Sequence, residues 1–138
     1  MAEYNPVDIS QIKVLYVEDN LVSLNKNRML LQKLDCNVET CETGEEALKL
    51  IELNKYDIIF LDIQIPEPDG YDIARLIREL KDEDKRKTPI VAVTANARFD
   101  DREKCLNAGM DDYIVKPARY EHFEEMLSKY VTHIKVVP

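Results

Sequence analysis

The chain has 138 residues, 45% hydrophobic and 33% charged, with 27 acidic against 19 basic side chains and a net charge of −8. That length and balance suit one globular domain and exclude a disordered tract, while the acidic excess argues against a nucleic-acid surface. No apolar stretch approaches the roughly 18 residues of a membrane span, and the N-terminus lacks the apolar core of a secretion signal. Cys36, Cys41 and Cys105 are scattered, with no C-x-x-C spacing, and read as free thiols of a cytoplasmic protein.

Met1–Ile12 reads as a polar lead-in and Lys13–Val17 as a first strand, whose apolar run Val14-Leu15-Tyr16-Val17 is followed at once by Glu18 and Asp19. Residues 20–34 suit a helix. Asn37–Cys41 alternates polar and apolar residues, the pattern of an edge strand. Thr43 and Glu46 fit a capping box that opens a second helix, with Ala47, Leu48 and Ile51 as its apolar stripe. Ile58-Ile59-Phe60-Leu61 is continuously apolar, as a buried parallel strand is, and ends at Asp62. In the following loop, Pro66-Glu67-Pro68-Asp69-Gly70, Gly70 is expected to relieve a positive φ. A helix over 71–81 carries Ile73, Leu76, Ile77 and Leu80, and the charge run Lys81–Lys87 reads as a solvated loop. Pro89–Val93 is a fourth strand, with Thr94 at its end. A helix over 98–108 stops at Gly109, and Tyr113–Val115 is a fifth strand that Pro117 keeps from continuing. The last helix covers 119–131, with Phe123, Leu127 and Tyr130 on one side.

Strand and helix alternate throughout, so the expected fold is α/β, a parallel sheet with helices on both faces. With the second strand at an edge, the strands fit the flavodoxin-like order 2-1-3-4-5 of a doubly wound (βα)5 domain. No linker interrupts the chain. Residues 1–138 read as a single domain with a core of about 12–131 and terminal extensions at 1–11 and 132–138. In this order the crevice at the switch point between the first and third strands lies between Glu18-Asp19 and Asp62.

Four strand ends thus deliver three carboxylates, the Thr94 hydroxyl and the Lys116 amine. Singly, each is an ordinary strand-end polar group; together they describe a site. Two carboxylates about 4 Å apart repel by roughly 4 kcal/mol at an effective dielectric near 20, so three clustered acids call for a cation. With no His or Cys among them, a hard oxygen-seeking ion such as Mg²⁺ (or Mn²⁺) fits better than zinc. Lys116 and Thr94 suit the oxygens of a transferring phosphoryl group, for which a carboxylate can be the nucleophile.

The chain resembles a response-regulator receiver domain of two-component signalling over about residues 12–131. The resemblance is carried by Val17-Glu18-Asp19-Asn20, Leu61-Asp62-Ile63-Gln64-Ile65-Pro66-Glu67-Pro68-Asp69-Gly70, Val93-Thr94-Ala95-Asn96 and Lys116-Pro117. The stretch from Thr94 through Cys105 to Ala108-Gly109-Met110-Asp111-Asp112-Tyr113 is similar to receivers of hybrid histidine kinases and phosphorelays. The resemblance implies that Asp62 accepts a phosphoryl group from a phosphohistidine on a kinase or histidine phosphotransfer protein. It implies that Glu18, Asp19, Asp62 and the Gln64 backbone carbonyl hold Mg²⁺, and that Thr94 and Lys116 bind phosphoryl oxygens. Tyr113 matches the family's switch aromatic, acting with Thr94 on an output face made of the fourth helix, fifth strand and fifth helix. Gln64 and Asn96 stand at positions that tune dephosphorylation. Such a domain catalyses only its own phosphorylation and hydrolysis and is not otherwise an enzyme. Ala118 stands where a larger apolar residue is frequent, which would flatten the output face.

Without the family pattern, Tyr113 is as well explained by core packing. On the first helix Leu30, Leu31 and Leu34 point one way, while Val22 and Met29 fall together on the far side, either as scattered surface residues or as a docking patch for a histidine-bearing helix. His122 and His133 read as solvated and without a role. Two other functions compete: a degenerate receiver that only binds proteins, against which the intact acid cluster argues, and an aspartyl-nucleophile phosphatase, which commonly has a second acid where Gln64 stands. A DNA-binding regulator is not expected, because the 22 residues after Lys116 lack a recognition helix pair.

Overall fold

The computed structural model describes residues 12–95 and 98–131, apart from the Phe99 side chain. The lead-in before Ile12, Asn96, and the tail with His133 lie outside the described residues. The elements run β1 (Lys13–Val17), α1 (Leu21–Lys33), β2 (Asn37–Cys41), α2 (Gly44–Leu53), β3 (Ile58–Asp62), α3 (Gly70–Arg78), α4 (Glu83–Arg86), β4 (Ile90–Thr94), α5 (Phe99–Asn107), β5 (Asp112–Val115) and α6 (Tyr120–Tyr130). Every strand pair is parallel, and the order is β2-β1-β3-β4-β5, the flavodoxin-like arrangement expected from the sequence.

Alternation along the central strands divides the core in two. Leu15, Val17, Ile59, Leu61, Ile90 and Ala92 pack with Ala47, Ile51, Ile73, Ile77 and Cys105 of α2, α3 and α5. Val14, Tyr16, Ile58, Phe60, Val91 and Val93 pack with Leu31, Phe123, Met126 and Leu127 of α1 and α6. Phe123 meets Phe60 edge-on at 5.0 Å and Tyr16 at 6.4 Å between ring centroids. β3 and β4 are buried along their whole length, which explains their unbroken apolar runs, whereas β2 at the edge is only partly covered.

The helix starts follow local chemistry. Asn20 Oδ1 accepts the Ser23 amide at 3.0 Å, and Thr43 Oγ1 accepts the Glu46 amide at 3.1 Å. Only half of the expected box forms there, since the Glu46 carboxylate takes the Thr43 hydroxyl at 3.4 Å. A reciprocal box opens α3, where Asp69 accepts the Asp72 amide at 2.9 Å and Asp72 accepts the Asp69 amide at 3.1 Å. Gly109 ends the α5 region with φ of 98°, the C′ role expected of it.

Several expectations are corrected. Gly70 does not have a positive φ; it is the first residue of α3, and its need for no side chain comes from crowding. A Cβ there would lie 2.7 Å from Ile63 Cα and 2.9 Å from the Asp62 carbonyl oxygen. The helix expected over 71–81 stops at Arg78, and the charge run holds the one-turn helix α4. Asp82 caps α4 by accepting the Lys85 amide at 3.2 Å, and Lys87 pairs with Glu83 at 2.7 Å. Ile12 is no lead-in residue: it is buried, and its carbonyl accepts the Asn37 amide at 2.9 Å. Ala118 is buried in the α1–α6 side of the core and so does not shape an outer face. His122 has a structural use, its Nδ1 accepting the Arg119 amide at 3.1 Å where α6 begins. Along α1 the buried stripe is Leu24, Asn27 and Leu31, with Leu30 and Leu34 partly buried beside it.

Candidate functional site

The carboxyl ends of β1, β3, β4 and β5 meet at one edge of the sheet. β1 and β3 are neighbours with Val17 opposite Leu61, so Glu18 and Asp62 leave adjacent strands at the same level. Asp62 lies opposite Val93 on β4, one residue before Thr94, and Thr94 lies opposite Val115, one residue before Lys116. The strand registers alone therefore gather the acids, the hydroxyl and the amine.

Lys116 reaches between the two buried acids. Its Nζ donates to Glu18 Oε1 at 2.9 Å and to Asp62 Oδ2 at 3.1 Å. The Lys116 amide donates to the Thr94 carbonyl at 2.7 Å, which ties the end of β5 to that of β4, and the Lys116–Pro117 peptide is cis. Asp62 Oδ1 accepts the Gln64 amide at 3.0 Å, so the loop after β3 is bonded back to the acid. Glu18 is fully enclosed, while Asp62 and Thr94 are buried and Asp19 is exposed. Glu18, Asp19 and Asp62 each offer a carboxylate oxygen, all within 4.8 Å of one another.

The electrostatics reflect one ammonium serving two acids. Burial holds the Glu18 carboxyl above its usual range, and the neighbouring Asp62 adds to this, against the pull of Lys116. An isolated ion pair would pull Glu18 down; here enclosure outweighs it. Burial alone would lower the Lys116 ammonium, but its hydrogen bonds to Glu18 and Asp62 hold it above the ordinary lysine value. The donor set is all oxygen and net negative, with one acid open to solvent. It fits a hard divalent cation and offers nothing to a soft one.

Sequence reasoning passed over a second layer beneath these acids. Tyr16 donates its phenol proton to Glu18 Oε1 at 3.1 Å, and Asn27 Nδ2 donates to the Tyr16 oxygen at 2.6 Å. Burial holds the phenol well above its ordinary range, so it stays a proton donor. The signals were there: Tyr16 is two residues from Glu18 and so shares its face, and Asn27 interrupts the buried stripe of Leu24 and Leu31.

Of the other expected residues, Tyr113 is half-buried on β5, with the Arg102 guanidinium of α5 stacked over its ring at 4.8 Å. Gln64 and Thr94 line a groove of about 240 Å³ between the β3–α3 loop and α5, with Tyr71 and Lys104 also on its walls. Val22 and Met29 lie on the outside of α1, 79% and 58% exposed, and Leu21 beside them is 56% exposed.

A family model described as the response regulator receiver domain matches residues 14–128. The chain belongs to this family. Among curated proteins, this receiver is 40% identical over 137 residues to hybrid signal transduction histidine kinase L of Dictyostelium discoideum, a match covering 94% of the chain and 8% of that kinase. It is 37% identical over 117 residues to the signal transduction histidine-protein kinase BarA of Escherichia coli (strain K12), covering 85% of the chain and 12% of BarA. The chain thus spans a small fraction of the curated relatives it matches. Among solved structures, it is similar to the receiver domain of sensor histidine kinase PA1611 from Pseudomonas aeruginosa PAO1, with TM-score 0.81 and 37% identity over 88% of this chain and 98% of that one. That structure has a magnesium ion coordinated in the active site cleft. The receiver is also similar, with TM-score 0.79 and 27% identity over 87% of this chain and 88% of the other, to a chain of the co-crystal structure of the Saccharomyces cerevisiae histidine phosphotransfer protein Ypd1 with the receiver domain of Ssk1. No helix among the described residues is long and apolar enough to cross a membrane.

Proposed function

We propose that this receiver takes a phosphoryl group from a phosphohistidine onto Asp62 and uses the resulting charge change to alter a protein-binding surface. The observation that carries the reading is the buried pair Glu18–Asp62 bridged by Lys116, with Asp19 open beside it. In the transfer, an Asp62 oxygen attacks phosphorus, the P–O bond forms as the N–P bond breaks, and the electron pair stays on the imidazole nitrogen of the donor. Lys116, already on Asp62, and Thr94 at the end of β4 receive the phosphoryl oxygens. Glu18, Asp19, Asp62 and the Gln64 backbone carbonyl hold Mg²⁺ or Mn²⁺, which when bound supplies positive charge to the transferring group. The cleft magnesium of the PA1611 receiver supports that assignment. Apart from forming and hydrolysing its own acyl phosphate, the domain performs no catalysis.

Tyr113 is read as the switch aromatic, moving with Thr94, and Gln64 and Asn96 as the residues that tune dephosphorylation. The output partner is assigned to the α5–β5–α6 face, where Tyr113, Pro117, His122 and Met126 line a groove of about 500 Å³ between β5 and α6. The donor, a histidine kinase or histidine phosphotransfer protein, is assigned to the exposed patch of Val22 and Met29 on α1; the Ypd1–Ssk1 complex supports a donor of this class. The reading takes residues 1–138 as one receiver unit with its core at about 12–131, working in the cytoplasm.

The test compares two phosphoryl donors in the presence of Mg²⁺. With a phosphorylated histidine phosphotransfer protein, Val22→Glu and Met29→Glu slow transfer by about tenfold or more, because a charge is pushed into an apolar contact. With acetyl phosphate both variants match the parent. Equal rates with both donors would remove the docking assignment, and transfer that survives Asp62→Asn would remove the phosphoacceptor.

A further inference from the structure

We propose that Tyr16 and Asn27 are positioning residues for the cation: they fix the Glu18 carboxylate and so set the affinity of the acid cluster for Mg²⁺. The inference rests on reading that cluster as the Mg²⁺ site. Glu18 Oε1 is held from two sides, by Lys116 at 2.9 Å and by the Tyr16 phenol at 3.1 Å, while Oε2 accepts the Asn20 amide at 3.3 Å. Lys116 also binds Asp62, so its ammonium is divided between two acids. Tyr16 carries no such second obligation to an acid.

The role of Asn27 follows from the proton count. A phenol has one proton, and Tyr16 can give it to Glu18 only if its other neighbour is a donor. Asn27 Nδ2, at 2.6 Å, is that donor, so the amide directs the phenol proton toward the carboxylate. Asn27 is only 3% exposed, and its Oδ1 accepts no hydrogen bond from the described residues. A buried acceptor without a partner weakens a fold. Leu24 and Leu31 flank it on the same stripe, so an apolar side chain would pack there without that cost. What Asn27 contributes in exchange is the donor side of its amide, aimed at the tyrosine under the metal-holding acid. Partners that orient a ligating carboxylate characteristically change metal affinity when removed.

Isothermal titration of the full chain with MgCl₂, together with thermal melts in the absence of Mg²⁺, decides this. Tyr16→Phe keeps the ring and removes the donor; it is expected to weaken Mg²⁺ binding by about tenfold or more. Asn27→Leu is expected to melt at or above the parent temperature yet bind Mg²⁺ more weakly, two changes in opposite directions that a purely structural residue does not produce. If both variants fold and bind Mg²⁺ within about twofold of the parent, the positioning role is overturned while the metal site stands. If the parent itself binds no Mg²⁺, the site reading fails and this inference falls with it. Loss of the fold in both variants assigns the pair to the core alone and also overturns the proposal.

Discussion

Glu18 and Asp62 share the single ammonium of Lys116, so two buried carboxyl groups have one cation between them even before Asp19 is added. Like charges at about 4 Å and an effective dielectric near 20 repel by roughly 4 kcal/mol, which a fold built only for stability would avoid. The buried cysteines behave in the opposite way. Burial, with Asp35 and Asp57 nearby, pushes the Cys36 thiol up to about 11, and burial with Glu46 nearby pushes Cys41 up to about 12. Burial raises Cys105 as well. Below the ordinary thiol value of 9.0 both folded and unfolded chains keep these protons, so thiol ionisation costs the fold nothing there. As pH climbs above that value the unfolded chain ionises first, and stability falls. The thiols should therefore add no pH dependence to the melting temperature near neutrality and should lower it as the pH rises past about 9, a contribution read as the difference between the parent and a variant with all three replaced by Ala. The native protein at about pH 8 should resist a disulfide-exchange reagent that labels all three thiols after denaturation. Rapid labelling of the native protein at that pH would contradict the burial described here.

At the level of elements, what could be read in the sequence was what local chemistry encodes. The runs Val14–Val17, Ile58–Leu61 and Ile90–Val93 are unbroken because both faces of those strands are covered, whereas the alternating Asn37–Cys41 pairs with β1 alone at the edge of the sheet and is only partly covered. What escaped was held by contacts at a distance or by polar order. The helix α4 has no apolar stripe; acids in its first turn, bases in its last and the Asp82 cap make it. Gly70 sits in a run that spells a turn, yet its reason is the backbone of β3 packed against it, which no local pattern records. The five strand-end groups stand out because each ends an apolar run; Tyr16 lies inside such a run and Asn27 between Lys26 and Arg28, so their link to Glu18 shows only once α1 packs beside β1. Gly70→Ala places a methyl group against the Ile63 Cα and the Asp62 carbonyl, backbone atoms that yield little. It should cost about 1–3 kcal/mol in urea unfolding. An unchanged midpoint would mean that α3 is free to shift away from β3.

For the molecule as a whole, the strand order makes the site. β1 and β3 stand side by side at the centre, β4 is next, and β5 brings Lys116 across from the far edge. Away from the site, Arg78 ties the opposite end of the fold together, donating to the carbonyls of Gly109 at 2.8 Å and of Arg86 and Thr88 at 2.7 Å, and pairing with Asp111 at 2.9 Å. The strand ends are thus carried on a frame fastened elsewhere, which leaves the acids free to be arranged for chemistry. The most direct measurement is intact mass after incubation with acetyl phosphate and Mg²⁺. The parent should gain the mass of one phosphate and Asp62→Asn should gain none; a parent that stays unmodified, or a variant that is modified like the parent, would contradict the assignment of Asp62.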